Sequence, residues 1–136
     1  MILVDSNIFM YASGSDHPYK APCHNFLIRI AKGEVDASID VEVLQEILHR
    51  YRSIHRWEEG RKVFDLARSI IPAVISVDDV TLEDTRALMD QYPNLRARDA
   101  LHAVVCRRMA ADALCSYDRD FDQISGFRRL EPDQVV

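Results

Sequence analysis

Apolar positions along this chain follow two rhythms. Short runs without alternation occur at Ile2-Leu3-Val4, residues 36–39, residues 73–77 and residues 113–116. Such runs suit strands buried on both faces of a parallel sheet. Between them, apolar side chains recur at helical spacing. Ile8, Phe9 and Tyr11 begin a helical turn after Asp5. Cys23, Phe26, Leu27, Ile30 and Ala31 predict a helix to about Lys32, stopped by Gly33. Leu44, Ile47, Leu48, Tyr51 and Ile54 form one stripe behind Asp40, which can cap it. Val63, Phe64, Leu66, Ala67 and Ile70 form another, ended by Pro72. Thr81, followed by Glu83 and Asp84, opens a helix that stops at Tyr92-Pro93. Residues 97–111 read as an apolar helix, residues 118–124 as a short helix or turn, and residues 127–130 as an edge strand before Pro132. Strands alternating with helices, without repeats or linkers, predict one α/β domain over residues 1–136 with a mostly parallel sheet.

Composition narrows the class. The chain has 136 residues, 48% hydrophobic and 29% charged, which suits a globular domain with a substantial core. No apolar run approaches the roughly 20 residues that span a bilayer. Asp5 interrupts the first apolar run and no basic segment precedes it, so the start does not read as a signal peptide. Three cysteines, two of them in apolar segments, suit reduced thiols in a cytoplasmic protein. A net charge of −5 argues against broad electrostatic binding of nucleic acid but leaves room for a local basic patch.

The candidate chemistry is acidic. Asp5 and Asp118 follow strands that become neighbours if the sheet winds outward from the first, and ligands of open α/β sheets bind beyond such carboxyl ends. Asp99 opens the apolar helix, and Glu46 lies in the Leu44 stripe helix but well off its apolar face. Each also has a plain structural reading. Asp5 can cap the following helix, Asp99 can answer a helix dipole, Glu46 can be solvated, and Asp118 can share an acidic turn with Asp120 and Asp122. If the acids do converge, their mutual repulsion calls for a cation. Oxygen donors without a Cys/His set at zinc spacing suit Mg²⁺ or Mn²⁺, and the matching chemistry is displacement at phosphorus.

Four segments in order carry a resemblance: Val4-Asp-Ser-Asn-Ile-Phe-Met-Tyr-Ala12, Val43-Leu-Gln-Glu-Ile47, Ala97-Arg-Asp-Ala-Leu-His-Ala103 and Ser116-Tyr-Asp-Arg-Asp-Phe121. Together they resemble a PIN domain, and more narrowly the VapC-type toxins of toxin–antitoxin pairs. The resemblance spans essentially the whole chain. It implies a three-layer fold with an about five-stranded parallel sheet flanked by helices. It implies an acidic metal site of Asp5, Glu46, Asp99 and Asp118, supported by Asn7 and Ser116. It also implies an endoribonuclease dependent on Mg²⁺ or Mn²⁺, a homodimer, and inhibition by a cognate antitoxin protein. Ser116 stands where Thr is more frequent. Arg96 stands where a capping Ser is common, so Asn94 is expected to cap instead. Asp120 or Asp122 could replace Asp118.

Other residues are less decisive. His102, three residues after Asp99, reads as a polar residue at the edge of the core, with a role in orienting a ligand as the alternative. The basic region from Arg50 to Lys62 reads as a solvated face diluted by Glu58 and Glu59, or as a surface for RNA phosphates. Phe9 reads as core, and Trp57 as a base-stacking or interface residue. Competing functions are an RNA-processing nuclease outside a toxin–antitoxin pair, a non-catalytic binding module, and a phosphatase with Asp5 as nucleophile. Haloacid-dehalogenase-type phosphatases place a second acid two residues on, where this chain has Asn7.

Overall fold

The computed structural model describes residues 1–136. In chain order the elements are β1 (Ile2–Val4), α1 (Ser6–Ser13), α2 (Lys20–Ala31), β2 (Ala37–Asp40), α3 (Val41–Ser53), α4 (Trp57–Ile70), β3 (Val74–Ile75), α5 (Asp79–Gln91), α6 (Ala97–Arg108), β4 (Ala113–Cys115) and β5 (Arg129–Leu130). Short 3₁₀ turns cover Arg119–Gln123 and Pro132–Gln134. All strands pair in parallel, in the order β3-β2-β1-β4-β5.

Strand β1 is the centre of the sheet. Leu3 pairs with Ser38 of β2 on one side and with Leu114 of β4 on the other. Successive strand residues face opposite ways. Leu3 and Leu114 accordingly join the apolar cluster built around α5 and α6, while Val4 and Cys115 join the cluster built around α1 to α4. Leu3 and Val4 are both fully buried. That explains a strand without polar alternation, and burial of each such side chain stabilises the fold by about 1.5–3 kcal/mol. The winding reverses at β1, so a crevice opens past the ends of β1, β2 and β4.

Helix ends explain where the expected boundaries shift. Asp40 caps α3, its Oδ1 accepting the Val43 N–H at 3.1 Å. Asp78, not Thr81, caps α5. Its Oδ1 accepts both the Thr81 N–H at 2.9 Å and the Thr81 hydroxyl at 2.8 Å, so the helix starts at Asp79. The expected Asn94 cap of α6 does not form: Arg96 is the N-cap residue, with extended backbone and no side-chain hydrogen bond. Helix α6 ends at Arg108 rather than at residue 111. Ala110 adopts a φ of 50°, and the Ala111 N–H turns back to the Cys106 carbonyl at 2.9 Å, a Schellman closure. The strand expected over residues 73–77 pairs only at Val74–Ile75, on the sheet's edge. Gly60 lets α4 lie against α3, since a Cβ there would meet the Tyr51 Cβ at 2.5 Å. All three cysteines are free and buried. No helix is long and apolar enough to cross a membrane.

Candidate metal centre

Three strand ends deliver polar groups to the crevice: Asp5 after β1, Asp40 at the end of β2, and Ser116 after β4. Asp5 combines both roles that its sequence context allows. Its Oδ1 accepts the Ser6 N–H at 2.7 Å, capping α1. Its Oδ2 accepts the Ser116 hydroxyl at 2.6 Å and the Asn7 amide at 3.3 Å. Asn7 also donates to Ser116 Oγ at 2.9 Å, and that oxygen accepts the Asp118 N–H at 3.0 Å. Asn7 and Ser116 therefore fix Asp5 and the start of the Asp118 turn in one network. Burial raises the Asp5 pKa, an effect that nearby His102 partly offsets and Glu46 reinforces.

Glu46 is not solvated. Helix α3 starts directly from the end of β2, so its second turn flanks the crevice. The Glu46 side chain is 11% exposed. Its Oε2 accepts the Ser6 hydroxyl at 2.5 Å, and its Oε1 lies 3.0 Å from His102 Nε2. Asp99, in the first turn of α6, and Asp118 are half-buried and line the same cleft. Burial, and then the charges of Asp118 and Asp5, push the Asp99 carboxyl up to about 7.

The remaining acids separate. Asp120 groups with Asp99 and Asp118, with potential ligand atoms within 4.8 Å of one another, but it is exposed. Asp122 is drawn away into an ion pair with Arg129, at 2.9 and 3.2 Å. Asp118 caps the turn that carries both, its Oδ1 accepting the Asp120 N–H at 2.9 Å.

His102 lies deeper than a residue at the edge of the core. It is 1% exposed, with Nδ1 2.6 Å from Asp40 Oδ2 and Nε2 between Glu46 Oε1 and, at 3.8 Å, Asp5 Oδ1. Burial works against a charged ring, but Asp40, Glu46 and Asp5 outweigh it and hold the His102 pKa well above the usual histidine range. With both nitrogens committed to carboxylates, the ring offers no lone pair to a metal. The site thus has an inner part, Asp5, Glu46 and His102, which carries its own cation. Its outer part, Asp99, Asp118 and Asp120, is acidic throughout. Oxygen donors flanked by Asp5, with a carboxyl already pushed up by like charge, fit a hard divalent cation. The Asp40–His102 link escaped sequence reasoning. The available signals were the i, i+3 spacing of Asp99 and His102 and a third aspartate at a strand end.

The mouth of the cleft is basic. His49, Arg50, Arg96 and Arg98 line it beside Glu46, Asp99 and Asp118, with Arg98 Nε also 3.4 Å from Glu42 Oε1. Farther along the basic region the charges turn aside. Arg52 stacks over Trp57 at 4.2 Å, Arg56 pairs with Glu59 at 2.7 Å, and Arg61 lies 3.6 Å from Glu58. Phe9 is fully buried core.

Comparison with known proteins agrees with this arrangement. The sequence pattern of the PIN domain matches residues 2–126. A VapC ribonuclease of Mycobacterium bovis and Ribonuclease VapC13 of Mycobacterium tuberculosis are each 40% identical over 130 residues, covering 96% of this chain and 99% of the relative. Ribonuclease VapC23 of Mycobacterium tuberculosis is 32% identical over 121 residues, 87% of this chain and 93% of the relative. Among solved structures, the sarcin–ricin-loop-cleaving toxin VapC20 of Mycobacterium tuberculosis superposes with a TM-score of 0.76 at 13% identity, covering 93% of this chain and 96% of that one. VapBC2 of Rickettsia felis, bound to a DNA fragment from its promoter, superposes with a TM-score of 0.74 at 21% identity, covering 96% and 98%. At those identities the two structures speak for the fold alone. The near-complete sequence matches go further: the chain belongs to the PIN-domain family and, within it, to the VapC ribonucleases.

Proposed function

We propose that this protein is a divalent-metal-dependent endoribonuclease that acts as the toxin of a type II toxin–antitoxin pair. The observation that carries this reading is the gathering of Glu46, Asp99 and Asp118 in one cleft beneath a basic rim, with Asp5 buried at the end of β1 beside Glu46 and close enough for its charge to act on Asp99. Asp5, Glu46, Asp99 and Asp118 are the residues that would hold Mg²⁺ or Mn²⁺. Such a cation supplies charge to offset that of the phosphate and lowers the pKa of water.

The chain's own groups do the rest. Asn7 and Ser116 keep Asp5 from rotating. Glu46, held by Ser6, presents a carboxylate toward the cleft as a proton acceptor. Arg50, Arg96 and Arg98 align the RNA backbone over the acids. In the overall reaction the oxygen of a water bonds to phosphorus, the P–O3′ bond breaks, and the water's proton passes to the 3′ oxygen. The products carry 5′-phosphate and 3′-hydroxyl ends.

The partners follow from the same reading. The VapBC2 neighbour is a toxin–antitoxin complex, and we place a cognate antitoxin on this chain by analogy. A homodimer and a cytoplasmic location complete the proposal.

The deciding experiment is cleavage of structured RNAs by purified protein in Mg²⁺, in Mn²⁺ and in EDTA, beside Asp5→Asn. Cutting that requires metal and disappears in the variant supports the reading. A folded wild-type protein that neither binds Mn²⁺ nor cuts RNA overturns it. Light scattering of the purified chain tests the homodimer.

A further inference from the structure

We infer that His102, clamped by Asp40, is a positioning residue that holds Glu46 toward the cleft. The inference rests on the nuclease reading and deepens it. Glu46 stands beside the carboxylates of Asp5 and Glu42 and shares the cleft with Asp99 and Asp118, so a free Glu46 side chain would swing out to water. Two donors prevent this. The Ser6 hydroxyl occupies Oε2 at 2.5 Å, and His102 Nε2 occupies Oε1 at 3.0 Å. The hydroxyl is a weak anchor, since it turns freely and has a second acceptor in Asp5 Oδ1 at 3.4 Å. The imidazole is a strong one. It is 1% exposed, and Asp40 Oδ2 fixes its far nitrogen at 2.6 Å.

Asp40 in turn cannot move. It is fully buried, and its other oxygen caps α3, the helix that carries Glu46 six residues on. The path from cap to imidazole to Glu46 closes a loop that ties α3 to α6. Residues that orient a ligand-bearing or reacting carboxylate in this way typically change metal affinity or activity 10–100-fold when lost.

A merely structural histidine would matter through Asp40, since a buried unpaired carboxylate is what destabilises a fold. A positioning histidine matters through Glu46. Two conservative variants separate these roles, because the amide of Asn overlays the Nδ1 of histidine and the amide of Gln overlays its Nε2. His102→Gln keeps the donor to Glu46 and leaves Asp40 unpaired. His102→Asn keeps the donor to Asp40 and releases Glu46.

The experiment measures Mn²⁺ binding by calorimetry, kcat and KM on a panel of fluorophore-labelled single-stranded and hairpin RNAs, and Tm in EDTA. The expected activity order is wild type, then Gln, then Asn, with Asn down about 10–100-fold in kcat at little change in KM. Mn²⁺ affinity should fall about tenfold or more in Asn and much less in Gln. The stability order should run the other way, with Gln the less stable of the two. Activity or Mn²⁺ affinity that follows the stability order overturns the inference.

If wild type binds Mn²⁺ but cuts none of the panel, the Mn²⁺ affinities alone decide. If wild type does neither, the nuclease reading falls and takes this inference with it. Should either histidine variant fail to fold, Ser6→Ala leaves His102 as the only anchor. Loss of less than about tenfold supports the inference, and a loss as large as that of Glu46→Gln overturns it.

Discussion

The Ser116 hydroxyl donates to Asp5 Oδ2 across 2.6 Å, joining the ends of two adjacent strands whose residues are 111 positions apart. The same oxygen accepts from Asn7 and from the Asp118 backbone, so one hydroxyl organises both sides of the crevice. Ser116 is fully buried. Ser116→Ala leaves the Asn7 amide and the Asp118 N–H without that acceptor, which costs about 1–3 kcal/mol. Thermal melts should show the loss, and cleavage should fall about 10–100-fold. Unchanged melting and cleavage would show that the network is incidental.

Asp99→Asn should separate stability from activity. The Asp99 carboxyl is pushed up to about 7 by burial and by the charges of Asp118 and Asp5. An amide removes that repulsion and also removes one of the proposed cation ligands. The metal-free variant should melt at a higher temperature than wild type near neutral pH, while its cleavage falls about 100-fold or more. A folded Asp99→Asn protein with full cleavage would remove Asp99 from the site.

Metal removal should expose an unusual pH dependence. Asp99 has a folded pKa of about 7, above the ordinary carboxylate value of 3.8. Between those values the folded state keeps a proton that the unfolded chain has lost, so stability falls as pH rises across the window. His102 works in the same direction, since its pKa is raised in the fold and its contribution is lost as pH climbs through the folded value. In EDTA, Tm should drop between about pH 5.5 and about pH 8. If the deprotonated acids hold the cation as proposed, saturating Mn²⁺ should flatten or reverse that slope. A Tm in EDTA that rises with pH over this range would contradict the charge balance assigned to the cleft.

Most of the layout was legible in the sequence because strands buried on both faces leave unbroken apolar runs, as Leu3 and Val4 do by serving two different clusters. The helix stripes were equally plain. Glu46 was harder. Periodicity reports which face of α3 packs on its neighbours, not that the second turn of the helix borders a crevice fixed by the end of β2. His102 was harder still, because spacing gives a face but not a depth. Its burial depends on Asp40, a residue fully accounted for locally as a helix cap. The start of α5 shifted for a related reason, since Asp78 caps from outside the apolar pattern.

The end of α6 offers a test of backbone strain away from the chemistry. Ala110 holds a φ of 50° while its neighbour closes the helix, a position that glycine fills without steric penalty. Ala110→Gly should stabilise the protein by about 0.5–1 kcal/mol, a rise of about 2–4 °C in Tm, with cleavage unchanged. A lower Tm would mean that the added freedom of the unfolded chain outweighs the relieved strain.

The basic rim makes the most direct prediction about the substrate. Arg50 follows Glu46 by four residues on α3, so the two share a helix face and both line the cleft. Arg61 sits farther away, on α4 beside Glu58. If the rim aligns an RNA backbone, Arg50→Ala removes about one phosphate contact without touching the acids. KM should rise about threefold to tenfold while kcat holds. The slope of log KM against log salt should shrink by about 0.7, the value for one contact on a single strand. Arg61→Ala should leave both quantities alone. Equal effects from the two variants would mean that RNA responds to the overall charge of the protein rather than to a path across the cleft, and the rim would lose its assigned role.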